Sequence, residues 1–199
     1  MKDFDEAEDL INSFDIKRDD VLSKFVLKTV VIEKDVCKTI VSDISKRDGW
    51  ETHFYYNYSE NVDNSASNGE ELECLFANDI DVLKYVNLGI SKYIQKYSLN
   101  NIISRITDIR FNRYFSGTLM RSHYDHIHSI FPGEEKGVPV LSIVLVLNED
   151  YKGGEFHCFN KNMNLGVGEM LIFPSCFLYT HGVRKILSGT RYSAVAWAY

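Results

Sequence analysis

Arg113–Asp125, RYFSGTLMRSHYD, sets His123 and Asp125 one residue apart at the end of a segment that reads as a strand. Residues i and i+2 of a strand point to the same side. An imidazole and a carboxylate held that way can bind one metal ion together. Two ligands do not make a site, so a third must arrive from elsewhere. His181, in YTHGVRKILSGTRYS (Tyr179–Ser193), is the best candidate. HYDHIH also offers His126 and His128, so Asp125, His126 and His128 form a rival set.

Around this stretch the chain reads as short strands. From Ile103 onward the candidates are Ile106–Phe115, Met120–His123, Val138–Leu147, Glu155–Cys158, Met170–Phe173 and Tyr192–Ala198. Turn signals separate them at Pro132-Gly133, Gly153-Gly154, Gly166 to Gly168 and Ser188-Gly189. Upstream, Phe25–Ile32 is β-branched and apolar and predicts a strand. Glu33–Lys46 carries Val36, Ile40, Val41 and Ile44 at helical spacing. Trp50–Tyr58 reads as an aromatic-rich strand, and Glu60–Glu71, rich in Asn and Ser, as a mobile loop. Asp79–Tyr97 predicts a helix with Ile80, Leu83, Val86, Ile90 and Ile94 on one face and Asn78 or Asp79 as its cap. Helices first and strands afterwards indicate an α+β, mainly β chain built on a sandwich or jelly roll. No linker or repeat divides it. One domain over residues 21–199 follows, with its strand-rich core at about 103–199.

Composition narrows the class. The chain has 199 residues, 45% hydrophobic and 25% charged, as expected of a globular protein with a sizeable core. Net charge is −6, and residues 1–20 hold eight acids against three bases. The acidity therefore belongs to a partly ordered lead-in and not to the body. No basic stripe indicates a nucleic-acid surface, and no apolar run has the length of a membrane span. MKDFDEAEDL does not resemble a signal peptide, so a cytoplasmic location is expected. Cys37, Cys74, Cys158 and Cys176 lack zinc-like spacing and read as reduced thiols.

Two histidines and one carboxylate on one face of a metal ion leave the opposite positions open, the arrangement of non-haem Fe(II) oxygenases. RYFSG, HYD, LVLNEDYKGGEF, GEMLIFPS, and HGV followed by GTRYS occur in that order. Together they resemble the core of the Fe(II)/2-oxoglutarate dioxygenases, in particular the prolyl-4-hydroxylase-like branch. The resemblance runs from about Phe111 to Tyr199 and fades upstream. It implies a double-stranded β-helix (jelly roll) with supporting N-terminal helices. It implies Fe(II), 2-oxoglutarate and dioxygen as cofactor and co-substrates, with ascorbate as an optional reductant. His123, Asp125 and His181 would hold the iron, and His126 and His128 would fall in the loop beyond.

The resemblance also assigns Tyr114, nine residues before His123, and Arg191, ten after His181, to the distal carboxylate of 2-oxoglutarate. A buried carboxylate must be paired, and a guanidinium offers a planar fork for it. Ser193 shares the Arg191 strand face and is a further candidate. His53 and His157 read as ordinary partly buried histidines, with His53 also a candidate to face the cleft. The resemblance puts a mobile lid at the Glu60–Glu71 loop, with Trp50–Tyr58 as a wall of the substrate groove. FPGEEKG (Phe131–Gly137) would border the site. Trp197 reads as core.

Departures matter. Collagen-type prolyl hydroxylases carry Tyr and Lys where this chain has Met120 and Arg191, and Arg184 stands where a proline often follows the distal histidine. The resemblance thus implies the oxygenase chemistry more firmly than a collagen-like substrate. The expected reaction is hydroxylation of a prolyl residue in a protein or peptide, with release of succinate and CO2. The alternatives are the same chemistry on another side chain or a free small molecule, or a non-catalytic jelly roll that binds metal or a carboxylate.

Overall fold

The computed structural model describes residues 18–57, 62–65, 72–125, 138–159 and 161–199. The chain is mainly β, with antiparallel sheets and few helices. Strands β1 (Leu27–Val30), β12 (Glu169–Pro174), β8 (Leu141–Val146), β15 (Arg191–Ala198), β6 (Arg110–Tyr114), β5 (Glu73–Phe76) and β2 (Glu51–Thr52) lie side by side in that order. A second sheet has the order β11 (Lys161–Asn162), β10 (Phe156–Cys158), β13 (His181–Val183), β7 (Met120–His123). Two small pairs are the remaining strands among the described residues: β9 (Lys152–Gly153) with β14 (Ile186–Ser188), and β3 (Phe54–Asn57) with β4 (Val62–Ser65).

The central strands bury both faces, so strand alternation sorts their residues into two cores. On one face Leu141, Ile143, Leu145, Met170, Ile172 and Ala196 pack against helices α2 (Lys34–Ile44) and α3 (Leu83–Tyr97). On the other, Val144, Leu171, Phe173, Val195 and Trp197 meet Met120, Phe156, Cys158 and Val183 of the second sheet. The short helix α1 (Arg18–Ser23) adds Leu22 to this second core. Gly89 allows α3 close approach to β12, since a Cβ there would collide with Met170 Sδ.

Several elements differ from expectation. Helix α3 begins at Leu83, with neither Asn78 nor Asp79 as its cap. Both side chains are engaged elsewhere: Arg47 holds Asp79 through two bonds of 2.6 and 2.7 Å, and Asn78 donates to Asp108 at 3.0 Å. In α2, Cys37 is buried while Val36 is exposed, so the stripe runs through Cys37, Ile40 and Ile44. The predicted Trp50–Tyr58 strand divides: β2 joins the large sheet and β3 leaves it to pair with β4. Part of the Glu60–Glu71 loop is therefore a strand, with Asn57 opposite Val62 and Phe54 opposite Ser65. Val62–Ser65 has no apolar alternation to announce it, and backbone pairing holds it. The rest of that loop, most of the acidic lead-in, His126, His128 and Phe131–Gly137 lie outside the described residues.

The four cysteines are free thiols. Among the described residues no helix is long and apolar enough to cross a membrane.

Candidate metal centre and anion site

His123 ends β7 and His181 begins β13. Antiparallel register sets the two residues directly opposite each other, with ring centroids 4.3 Å apart. Asp125 follows just past the strand end. Its Oδ1 is 3.5 Å from His123 Nε2 and its Oδ2 is 3.6 Å from His181 Nε2. One donor atom from each residue falls within 4.8 Å of the others, a group that could hold a metal ion. Each ring is oriented from behind. His123 Nδ1 is 2.8 Å from the Arg121 carbonyl oxygen, and His181 Nδ1 is 2.9 Å from that of Tyr179. A carbonyl only accepts, so each Nδ1 carries its proton and each Nε2 offers a lone pair to the centre. His181 is also wedged between Phe156 and Phe173, at 5.7 and 4.8 Å between ring centres.

The electrostatics call for one positive charge at this point. Asp125 is buried, which opposes ionisation, yet His181 and His123 hold its carboxyl well below the usual range. Burial pushes His181 down to about 4, and the neighbouring His123 charge adds to that. Burial also works against a charged His123, but the hydrogen bond and charge of Asp125 outweigh it and raise its pKa. A cation bound at the three donors takes the place of the His123 proton. The donor set thus fits a divalent transition metal in ligand type and tautomer, with Asp125 as its anionic ligand.

Two side chains fix the carboxylate. Ser142 Oγ donates to Asp125 Oδ2 at 2.6 Å, and the Trp197 indole N–H donates to the same oxygen at 2.8 Å. Trp197→Phe keeps most of the buried ring and removes that donor. Partners of this kind typically contribute about 10–100-fold to metal affinity. Mn(II) calorimetry is expected to show a loss in that range with the fold retained, and an unchanged affinity would deny the indole this orienting role.

Close approach of the two histidine strands depends on Gly182. A Cβ there would lie 2.6 Å from the Met120 carbonyl oxygen and 2.8 Å from His157 Nε2, where β13 and β7 change register. Gly182→Ala forces β13 outward and carries His181 away from His123. Overpacking of this sort costs about 1–3 kcal/mol, so a lower unfolding temperature and weaker metal binding are expected together. Loss of neither would show that the strands can separate freely here.

At the far end of the same cleft, Arg191 lies opposite Tyr114 across β15 and β6. Its side chain is 1% exposed. Nη1 donates to Ser193 Oγ at 3.0 Å, the guanidinium lies 5.2 Å from the Tyr114 ring centre, and the buried Nε has no hydrogen-bond partner. No carboxylate pairs with Arg191 among the described residues. Asn112 donates to the Tyr114 hydroxyl at 3.4 Å, and burial raises that phenol's pKa despite Arg191, so it stays protonated and able to donate. A buried guanidinium beside a phenol and a hydroxyl, without a counter-ion, is suited to an anionic group.

The six residues singled out in the sequence therefore line one cleft. His157 lies apart, on β10 facing Gly182, and burial lowers its pKa. His53 is near enough to Arg110 and His123 to feel their charge, with burial pulling it down to about 3. Sequence reading missed Ser142 and Arg110 and took Trp197 for core alone. Trp197 was detectable, since Arg191, Ser193, Val195 and Trp197 share one strand face. Ser142 gave no signal in an otherwise apolar strand.

Comparison with known proteins agrees with this geometry. Residues 109–199 match the family model described as the 2OG-Fe(II) oxygenase superfamily. This stretch is similar to the 2OG-Fe(II) oxygenases. The matched residues include Tyr114, His123, Asp125, His181, Arg191 and Ser193. A PKHD-type hydroxylase from Prochlorococcus marinus is 34% identical over 88 residues, which are 42% of this chain and 39% of that protein. Another from Acaryochloris marina is 32% identical over 97 residues, 46% of this chain and 42% of that one. The matches thus span about two fifths of these relatives. The fold is that of prolyl hydroxylases. A structure from Trichoplax adhaerens, solved with a hypoxia inducible factor peptide, covers 100% of this chain and 93% of its own (TM-score 0.66, identity 14%). The Pseudomonas putida prolyl-4-hydroxylase covers 91% and 95% (TM-score 0.61, identity 15%). The family matched by residues 109–199 uses Fe(II), 2-oxoglutarate and dioxygen.

Proposed function

We propose that the chain is an Fe(II)- and 2-oxoglutarate-dependent dioxygenase that hydroxylates a prolyl residue in a protein or peptide. The observation that carries this reading is one cleft with three convergent metal donors at one end and, at the other, a buried guanidinium that no carboxylate of the described residues meets. His123, Asp125 and His181 hold the iron. Arg191 pairs with the distal carboxylate of 2-oxoglutarate, while Tyr114 and Ser193 complete its hydrogen bonds. The iron, when bound, supplies the activation of dioxygen. One oxygen atom enters succinate as CO2 leaves, and the other becomes the substrate hydroxyl.

The protein's own part is positioning. Ser142 and Trp197 fix Asp125, backbone carbonyls fix both imidazoles, and the apolar walls keep water from the reacting groups. The prolyl substrate class is supported by the named hydroxylase relatives and fold neighbours. We take the two facing sheets as a jelly roll over about residues 103–199, within a single catalytic domain at 21–199 that follows an acidic lead-in at 1–20. Free thiols at all four cysteines favour a reducing compartment, and we place the enzyme in the cytoplasm with neither nucleic acid nor membrane as partner.

The deciding experiment measures succinate release with Fe(II), 2-oxoglutarate and a panel of proline-containing peptides, and then locates the added oxygen by mass spectrometry. Succinate formed with oxygen added at a carbon other than one of proline would replace the prolyl substrate. No succinate under any condition would remove the enzyme reading altogether.

A further inference from the structure

Arg110 occupies the end of the cleft away from Arg191. Strand β6 turns Arg110, Asn112 and Tyr114 to the same face, and the register sets Arg110 against Val195 and Tyr114 against Arg191. The two arginines are thus four strand residues apart, about 13 Å along the backbone. Arg110 lies at the metal end: its guanidinium is 4.7 Å from the ring centre of Trp197, the residue that donates to Asp125. Its Nε is buried without a hydrogen-bond partner, and no carboxylate pairs with it among the described residues. Nothing in the proposed handling of iron or 2-oxoglutarate uses it.

Charge balance indicates a role. Arg110 and Arg191 are both permanently cationic, and Asp125 is the acidic residue among those lining the cleft. A divalent ion with Asp125, plus the two arginines, sums to three positive charges. 2-Oxoglutarate brings two negative charges, leaving one positive charge uncompensated beyond the metal. With 2-oxoglutarate at the Arg191 end, the metal end is the side left for the substrate.

We propose that Arg110 recognises a carboxylate on the substrate, so that the enzyme acts on prolines next to an acidic side chain or a free C-terminal carboxylate. This rests on the function proposed above and adds the substrate's charge to it. A guanidinium held over an indole is restrained for pairing with a carboxylate, and an uncharged substrate leaves its buried Nε without a partner.

The test is calorimetry of matched proline peptides on the Mn(II)- and 2-oxoglutarate-loaded, oxygen-free protein. The peptides carry flanking Asp/Glu, flanking Asn/Gln or flanking Lys, and each is made with an amidated or a free C-terminus. Peptides with a carboxylate are expected to bind about 10–100-fold more tightly than neutral amidated ones, the range for a hydrogen-bonded charged group. The arm that gains identifies the side-chain or the terminal carboxylate as the source. Arg110→Gln should erase the preference, Arg110→Lys should restore part of it, and 2-oxoglutarate binding should stay at the parent level in both. Equal binding of acidic and neutral peptides by the parent overturns the inference, as does a preference that survives in Arg110→Gln. Failure of the parent to bind 2-oxoglutarate instead overturns the proposed function. The peptide comparison on protein loaded with Mn(II) alone then still decides the role of Arg110.

Discussion

Asp125→Asn is expected to lower Fe(II) or Mn(II) affinity by two to three orders of magnitude and to abolish turnover, while the protein stays folded. Asparagine keeps the shape and still accepts from Ser142 and Trp197, whose donors meet Oδ2 at 2.6 and 2.8 Å. What it loses is the charge facing the ion. Removing one partner of a buried charged pair costs roughly 3–5 kcal/mol, and each ~1.4 kcal/mol is tenfold in affinity. The histidines should separate on stability. His181 is buried between Phe156 and Phe173, so His181→Ala opens a cavity and costs about 2 kcal/mol or more. His123, with its side chain 25% exposed, leaves less behind, and His123→Ala should cost under about 1 kcal/mol. Both should weaken metal binding. Calorimetry with Mn(II) and thermal unfolding of the metal-free variants measure the two effects separately. Unchanged metal affinity in all three variants would remove the centre from these residues.

Part of this site was legible because a strand period of two is local. It aligns His123 with Asp125 and Arg191 with Ser193 from spacing alone. Two other facts depend on long-range register and appear only in the fold. His181 lies opposite His123 because β13 pairs with β7, and Tyr114 lies opposite Arg191 because β15 pairs with β6. Arg110 shows the difference most clearly. In sequence it is one charge in the middle of the predicted Ile106–Phe115 strand, and only the order β15-β6-β5 brings it to the cleft.

Short elements were the least legible. HGV and ECLF are too brief and too mixed to show a period, yet His181–Val183 and Glu73–Phe76 pair within their sheets. The start of α3 was misread because Asp79 looks like a cap and is instead held by Arg47. Local preference yielded to a tertiary ion pair there.

Arg191→Met separates the anion site from the fold, because it moves stability and ligand binding in opposite directions. Among the described residues the native guanidinium, in a residue 1% exposed, is bonded to Ser193 alone and carries a buried, unpartnered Nε. Holding that cation without a counter-ion is unfavourable in the ligand-free protein. A methionine of similar length fills the space without a charge, and replacing buried charges by apolar groups is often neutral or stabilising by about 1–4 kcal/mol. The ligand-free variant should therefore unfold at the parent temperature or above it. Binding of 2-oxoglutarate should fall by about two to three orders of magnitude, since its distal carboxylate then enters a site with no cation. Arg191→Lys should retain part of the affinity, because the charge survives and the fork does not. Tyr114→Phe removes one hydrogen bond to a charged group, roughly 1.5–3 kcal/mol, and should rank between Arg191→Lys and Arg191→Met or near the former. Metal binding should hold in all three, as none touches His123, Asp125 or His181. The measurement is titration of 2-oxoglutarate into metal-loaded, oxygen-free protein, alongside thermal unfolding without ligand. If Arg191→Met binds 2-oxoglutarate as tightly as the parent, the carboxylate is anchored elsewhere. If it is instead much less stable without ligand, Arg191 is a structural cation and the reading of its buried charge as a ligand anchor fails.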